Sequence, residues 1–289
     1  AVLTFGCAGS NHALATAIYA RQAGLDAISI LLPQPNARTV RRNLMAGWHA
    51  GADLHHYLDG KRAALGTLHR LRQRRLSDGR YPYVIAPGGS SPLGALGFVN
   101  AALELKAQIG VGEMPEPDLI YVASGTMGTV VGLILGLELA GLKTRIVAVR
   151  VTSPPYTSLE KAHRLFDDTN ALLQKAAPNF PILAFPEQRF CLRDEFLGER
   201  YALYTKDSVQ AQKQVYDAEG LNLEGTYTGK AMACLLADAA NGALRNKTVL
   251  FWNTYNSRPF DSAMDALDYH DLPRDFHRYF EEDVQPLDR

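Results

Sequence analysis

Three glycine-bearing turns in this chain set hydroxyl, amide, imidazole and phenol groups where an apolar run gives way to a helical one. The most specific is Ser124-Gly125-Thr126-Met127-Gly128-Thr129, between DLIYVA (118–123) and a helical stretch over 129–140. Glycines allow successive backbone N–H groups to line a concavity, and the hydroxyls of Ser124, Thr126 and Thr129 add donors. A helix N-terminus adds positive potential, so a phosphate suits the turn. A tight strand-to-helix turn with an ordinary Ser or Thr cap is the other reading of the same residues. The segment has neither the G-x-x-x-x-G-K-[ST] of a nucleoside-triphosphate loop nor the G-x-G-x-x-G of a dinucleotide turn. The strand that follows, 145–151, carries Arg150 where an NAD-binding chain needs an acid for the ribose.

The second turn, Gly6-Cys7-Ala8-Gly9-Ser10-Asn11-His12, gathers a hydroxyl, an amide and an imidazole at a helix start. Ser10 or Asn11 can serve there as an N-cap, and His12 as a structural histidine. The same groups can also face a ligand that the glycines let close to the backbone. The third, Leu223-Glu224-Gly225-Thr226-Tyr227-Thr228-Gly229-Lys230, again opens a helix. Tyr227 reads either as a core tyrosine or as an acid, base or nucleophile whose pKa is set by charged neighbours.

Elements that place such turns are legible from the hydrophobic rhythm. Short β-branched runs alternate with amphipathic stretches: AVLTF, a helix from His12, AISILLP, a helix near 39–50, a strand at 54–58, a helix near 61–76 and PYVIAP. A second series runs through a helix at 93–109, the strand 118–123, the helix 129–140, the strand 145–151 and a helix from about 157. Continuous apolar strands between helices predict an α/β fold of open, mostly parallel twisted sheets with helices on both faces. APGGSSPLGALG (86–97) breaks the series, which predicts a small α/β domain over 1–90 and a larger one over 91–289. Residues after about 254 read as a surface-packed tail of the larger domain. In open sheets of this kind ligands lie beyond the carboxyl ends of the strands, where all three turns fall.

Composition narrows the partners. Lys+Arg 30 against Asp+Glu 30 gives no net charge to hold nucleic acid or an anionic membrane. The run Arg70, Arg72, Arg74, Arg75 reads as a solvated helix face. Three scattered cysteines without a C-x-x-C pair support neither a zinc ribbon nor a disulfide framework, so no metal is expected and a reducing, cytoplasmic setting is. No apolar run reaches the ~18 residues of a membrane span.

Taken in order, GCAGSNHALATA, PYVIAPGGSSPLGALGFVNAALEL, ASGTMGTVVGL and LEGTYTGKAM resemble the fold-type II pyridoxal 5′-phosphate (PLP) enzymes of the 1-aminocyclopropane-1-carboxylate (ACC) deaminase and D-cysteine desulfhydrase family. The resemblance runs from residue 1 to about 254 and implies a tryptophan synthase β-like fold, PLP as cofactor, a small amino-acid substrate and a homodimer. It further implies that Ser124, Gly125, Thr126, Met127, Gly128 and Thr129 cradle the phosphate, with Met127 where the family usually has Gly. Asn11 would bond the pyridine 3′-hydroxyl and Thr254 the pyridine nitrogen. Ser10 would lie beside the substrate carboxylate, with His12 nearby, and Tyr227 would face the reacting part of the substrate. Tyr201 matches a second family tyrosine, although Glu199-Arg200-Tyr201-Ala202 lacks the flanking glycines.

ACC deaminases place Glu directly after the reactive tyrosine. Thr228 stands there, and with Thr254 it resembles the desulfhydrase-type subset, so elimination or deamination of a small amino acid such as D-cysteine is the expected activity. ACC ring opening or amino-acid racemisation on the same fold, a non-catalytic PLP-binding protein and an NADP-dependent oxidoreductase are the alternatives. Asn253-Thr254-Tyr255-Asn256 replaces the usual His-Thr-Gly-Gly, which implies a narrowed or re-aimed pocket. The lysine that bonds covalently to PLP in such enzymes precedes the region matching Ala1 and is expected upstream; Lys230 corresponds to a different family position.

Overall fold

A computed structural model describes residues 1–260, 264 and 266–289. The chain divides into two compact units, residues 1–89 with 258–289 and residues 90–257. In the first, β1 (Val2–Cys7), α1 (Asn11–Gln22), β2 (Ala27–Leu32), α2 (Arg38–His49), β3 (Asp53–His56), α3 (Gly60–Asp78) and β4 (Tyr83–Val84) follow one another. The second contains α4 (Pro92–Gly110), β5 (Leu119–Ser124), α5 (Gly128–Ala140), β6 (Arg145–Arg150), α6 (Leu159–Ala176), β7 (Phe190–Arg193), α7 (Lys206–Glu219), α8 (Thr228–Ala240) and β8 (Val249–Phe251). The tail adds one short helix, α9 (Arg278–Glu281). The expected α/β class and parallel strands are present, with one helix or two between strands that follow each other in the chain.

Both sheets share one plan. Each has four strands, ordered β3-β2-β1-β4 in the first unit and β7-β6-β5-β8 in the second. Every pairing is parallel, with β1 in register with β2 from Val2↔Ala27 to Cys7↔Leu32 and β5 with β6 from Leu119↔Arg145 to Ser124↔Arg150. From β1 the chain winds outward to β2 and β3, then returns to β4 on the other side of β1; β5 stands in the same relation to β6, β7 and β8. The order reverses at β1/β4 and at β5/β8, and a sheet opens a crevice at the carboxyl end of strands where its order reverses. The turn after β1 is Ala8–Ser10, and the turn after β5 is Gly125–Met127. Two of the three turns singled out from the sequence therefore sit at these switch points.

The second unit's core explains its longest apolar run. Val130 to Leu137 of α5 are all buried, packed with Ile120, Val122, Ile146 and Ala148 of the sheet and with Phe166 of α6. Three glycines at i, i+4 and i+8 on α5 bring α4 close. A Cβ on Gly132 would lie 2.4 Å from the Ala95 carbonyl oxygen, and one on Gly136 would lie 2.6 Å from that of Val99. Contacts climb both helices in the same direction, from Ser90–Gly128 through Ala95–Gly132 to Val99–Gly136. So α4 and α5 run parallel, with their N-termini side by side.

The C-terminal segment departs from the sequence expectation. The sequence pattern assigns it to the larger domain, yet residues 258–289 group with residues 1–89. Asn36 Nδ2 donates to the carbonyls of Tyr279 and Glu282, each at 2.9 Å, and Arg41 donates to the same two carbonyls at 2.7 Å. Tyr279 and Phe276 are buried and set their rings edge-on to His56. Charged and aromatic residues alone indicated a surface tail; its binding surface lies in polar groups of the 34–41 segment, which carry no periodic signal.

Candidate functional site

In the second unit, the turn from β5 into α5 runs through Met127 in the left-handed region, φ 78°. A non-glycine residue there carries a strain cost of about 1 kcal/mol or more. Met127 is 1 % exposed, and the buried Ser124 hydroxyl donates to its sulfur at 3.1 Å. Ser124 Oγ therefore faces the thioether, while Thr126 holds the outward position. Ser90, just before α4, was not among the predicted site residues. Its Oγ accepts the Gly128 N–H at 3.0 Å and lies 2.7 Å from Thr126 Oγ1. A Cβ on Gly128 would sit 2.7 Å from that same oxygen, so glycine at 128 is what lets Ser90 reach the loop.

Behind the loop, the Gly125 carbonyl accepts from Thr152 Oγ1 at 2.8 Å and also from Thr157 Oγ1, two threonines whose hydroxyls lie 2.6 Å apart. These bonds hold Gly125 from the buried side. Neither α4 nor α5 carries an acidic residue in its first turn. Among the described residues, none accepts a hydrogen bond from the N–H of Met127 or Thr129. Two parallel helix N-termini therefore add their positive ends at one place, with N–H groups and the Ser90 and Thr126 hydroxyls around it.

Tyr227 caps the start of α8 beside this loop. A methyl on Gly125 would come 3.6 Å from Tyr227 Cε1. The Tyr227 and Tyr201 hydroxyls are 2.5 Å apart, with their rings edge-on. Tyr201 is thus brought to Tyr227 even though its segment lacks the family's glycines. The buried Glu224 carboxylate organises this turn by accepting the N–H groups of Thr226 (3.2 Å) and Tyr227. Burial pushes its pKa up, against the pull of those N–H donors. Thr228 is 1 % exposed, and its Oγ1 accepts the Glu224 N–H at 3.0 Å, which closes the turn. Lys230 is fully buried and its Nζ donates to the Leu197 carbonyl at 2.6 Å, tying α8 to the segment that carries Tyr201. Thr254 lies exposed, three residues beyond the end of β8.

In the first unit, Ser10 is the N-cap of α1, its Oγ accepting the Ala13 N–H at 3.1 Å. A Cβ on Gly6 would fall 2.6 Å from that oxygen. Asn11 opens the helix, and its Oδ1 accepts from Asn43 Nδ2 of α2 at 2.7 Å. Thr4 Oγ1 donates to the Ile85 carbonyl at 3.3 Å, so its 2.9 Å contact with His12 Nε2 is an N–H donated by the imidazole. Burial lowers the His12 pKa and keeps the ring neutral. His12 thereby links β1 to the segment following β4, leaving only Nδ1 for anything else. Sequence reasoning passed over Asn43, although a signal existed: it is a polar residue among Val40, Leu44 and Gly47 on the buried face of α2.

A family model described as pyridoxal-phosphate dependent enzyme matches residues 2–254. The chain belongs to that family. Pyridoxal phosphate is accordingly its cofactor, and the resemblance drawn from the four turn motifs is borne out. A putative ACC deaminase of Pyrococcus horikoshii is 33% identical over 255 residues, 88% of this chain and 73% of that protein. A D-cysteine desulfhydrase of Klebsiella pneumoniae is 32% identical over 239 residues, 81% of this chain and 69% of the relative. The crystal structure of an ACC deaminase homologue superposes with a TM-score of 0.70 at 29% identity, covering 88% of this chain and 73% of the other.

The residues present fit the cofactor's phosphate. A dianion placed at two adjacent helix N-termini, free of acidic side chains and offered hydroxyls by Ser90 and Thr126, has its charge and its acceptor lone pairs both matched. Arg150 forms an ion pair with Asp194 at 3.1 Å. No helix among the described residues is long and apolar enough to cross a membrane, and no group of metal-ligating side chains lies among them.

Proposed function

We propose that this pyridoxal-phosphate dependent enzyme eliminates the β-substituent of a small amino acid of the D-cysteine type. The sum is amino acid plus water giving pyruvate, ammonia and sulfide. The Cα–H and Cβ–S bonds break, sulfur leaves with its electron pair, and water supplies the keto oxygen. The observation that carries this reading is the Tyr201–Tyr227 hydroxyl pair beside Gly125 of the phosphate loop. Bound PLP supplies an electron sink that weakens the bonds at Cα. This chain's residues do the rest. The 125–129 loop with Ser90 would hold the phosphate, Asn11 the 3′-hydroxyl and Thr254 the pyridine nitrogen.

Ser10 accepts one N–H within its helix and keeps its own O–H to donate to a substrate carboxylate. Tyr227 and Tyr201 share a short contact through which one phenol can hold a proton while the other stabilises the resulting phenolate. Thr228 argues against ACC ring opening, because it offers no carboxylate after the tyrosine. His12 serves this reading as a spacer between β1 and the segment after β4. Three free cysteines among the described residues suit a reducing compartment, and a cytoplasmic homodimer is the setting we infer.

The test is a product assay on full-length protein with PLP, comparing D-cysteine, L-cysteine, D-serine and ACC. Pyruvate with sulfide from D-cysteine at the highest kcat/KM is expected. Faster release of 2-oxobutyrate from ACC would overturn the substrate assignment. Failure to bind PLP would overturn the whole reading.

A further inference from the structure

The amide of Asn11 is held in one of its two orientations by groups whose own polarity cannot reverse. Asn43, 4 % exposed on α2, donates through Nδ2 to the Gly9 carbonyl at 2.9 Å and to Asn11 Oδ1 at 2.7 Å. Its Oδ1 accepts from Arg42 Nη2 at 3.1 Å and Nε at 3.3 Å. A backbone carbonyl only accepts and a guanidinium only donates, so the Asn43 amide has a single satisfied orientation. That orientation aims an N–H at Asn11, which must answer with its oxygen. The other edge of the Asn11 amide, the two N–H groups of Nδ2, is then turned away from α2. Gly9 is essential to the arrangement: a Cβ there would lie 2.8 Å from Val40 Cγ2, and its N–H is taken by Gln34 Oε1 at 2.9 Å.

We propose that Asn43 is a positioning residue that fixes Asn11 as a hydrogen-bond donor toward the phenolic oxygen of the cofactor. The inference rests on the reading of Asn11 as the 3′-hydroxyl contact. A phenolic oxygen beside a pyridine ring carries negative charge, so a donor facing it is favourable and an amide oxygen facing it is repulsive. Asn11 alone is indifferent between the two. The polarity is set by Arg42, Asn43 and Gly9, each contact lying within the first unit.

The experiment compares the affinity of full-length apoprotein for PLP and for 3-deoxypyridoxal 5′-phosphate, which lacks only the phenolic oxygen. The wild type should prefer PLP by on the order of tenfold or more, as expected for a charge-assisted hydrogen bond. Asn43→Asp can only accept, so Asn11 must turn its N–H edge inward and the preference should collapse toward one. Asn43→Ser, which introduces no buried charge, should lower it part of the way and serves if the aspartate variant does not fold. Unchanged affinity for inorganic phosphate identifies a folded variant. Asn11→Ala separates the two ideas. If it abolishes the preference while the Asn43 variants keep it in full, the positioning role of Asn43 is wrong and the Asn11 contact stands. If Asn11→Ala itself keeps the preference, the Asn11 contact fails and the inference falls with it.

Discussion

Ser90 and Thr126, 36 residues apart in the chain, bring their hydroxyl oxygens to 2.7 Å at the mouth of two parallel helices. The contact exists because Gly128 has no side chain, and it adds a hydroxyl from outside the β5–α5 turn to those of the turn itself. Ser90→Ala should weaken binding of both inorganic phosphate and PLP by about tenfold, the cost of one hydrogen bond to a charged group, roughly 1.5 kcal/mol. Gly128→Ala should weaken it further, since the new methyl would stand 2.7 Å from Ser90 Oγ and displace it. Equilibrium titration with phosphate measures both. Wild-type affinity in Ser90→Ala would remove Ser90 from the site.

Met127 sets two opposed terms against each other. Replacing it with glycine relieves left-handed strain of about 1 kcal/mol but removes a buried side chain, and truncation of a buried Met costs about 2–5 kcal/mol. Burial wins. Met127→Gly should lower the unfolding free energy by roughly 1–4 kcal/mol and leave phosphate affinity within a factor of about two, because the N–H at 127 is kept and the Ser90 contact is untouched. Urea denaturation and a phosphate titration check the two halves separately. A stabilised variant would mean that strain outweighs packing at this position.

Much of this was legible in the sequence because each turn carries its own cause. Glycine and hydroxyls between an apolar strand and an apolar helix mark a turn, and the β5–α5 turn stands where the sequence places it. Local order carried less. That Thr228 Oγ1 also accepts the Glu224 N–H and closes the turn is a choice made by three-dimensional geometry. PYVIAP reads as a full strand, but only Tyr83–Val84 pairs with β1 before the chain turns at Pro87–Gly89. Ser90 and Asn43 act on residues 36 and 32 positions away; the buried face of α2 marks Asn43 as a polar residue with a role, but not Asn11 as its partner.

The two phenols should behave as a unit. With hydroxyls 2.5 Å apart, removing either one removes the shared proton position. Tyr227→Phe and Tyr201→Phe should each lower kcat on the eliminated substrate by on the order of a hundredfold, the usual scale for loss of an acid–base group. The double variant should be little worse than either single one, as for other residues that act together. Steady-state kinetics over a pH series reads this out. Multiplying losses, or a Tyr201→Phe enzyme with normal kcat and pH profile, would reduce Tyr201 to a packing role.

Lys230 is a titratable group of this region whose displacement predicts a pH signature in the alkaline range. Burial pushes its pKa from 10.5 down to about 8, with the Glu224 carboxylate opposing the shift. Its folded value lies below its unfolded one, so between about pH 8 and 10.5 the unfolded chain binds the proton that the folded protein has released. Stability contributed by this group must therefore rise with pH across that window, by about 3 kcal/mol at most. Buried thiols work the other way: Cys7 is pushed up to about 11 and Cys234 to about 12, which erodes stability as the unfolded chain ionises above about pH 9. The lysine is isolated by difference. Wild type minus Lys230→Met, measured by urea denaturation from pH 7 to pH 10, cancels the thiols and should rise with pH. Below pH 8 the charged ammonium still holds the Leu197 carbonyl, so Lys230→Met also costs about 1–3 kcal/mol for an unpaired buried acceptor. It should loosen the segment carrying Tyr201 as well. A difference that stays flat across the window would show that Lys230 titrates at its ordinary pKa and is solvated in a way its burial does not allow.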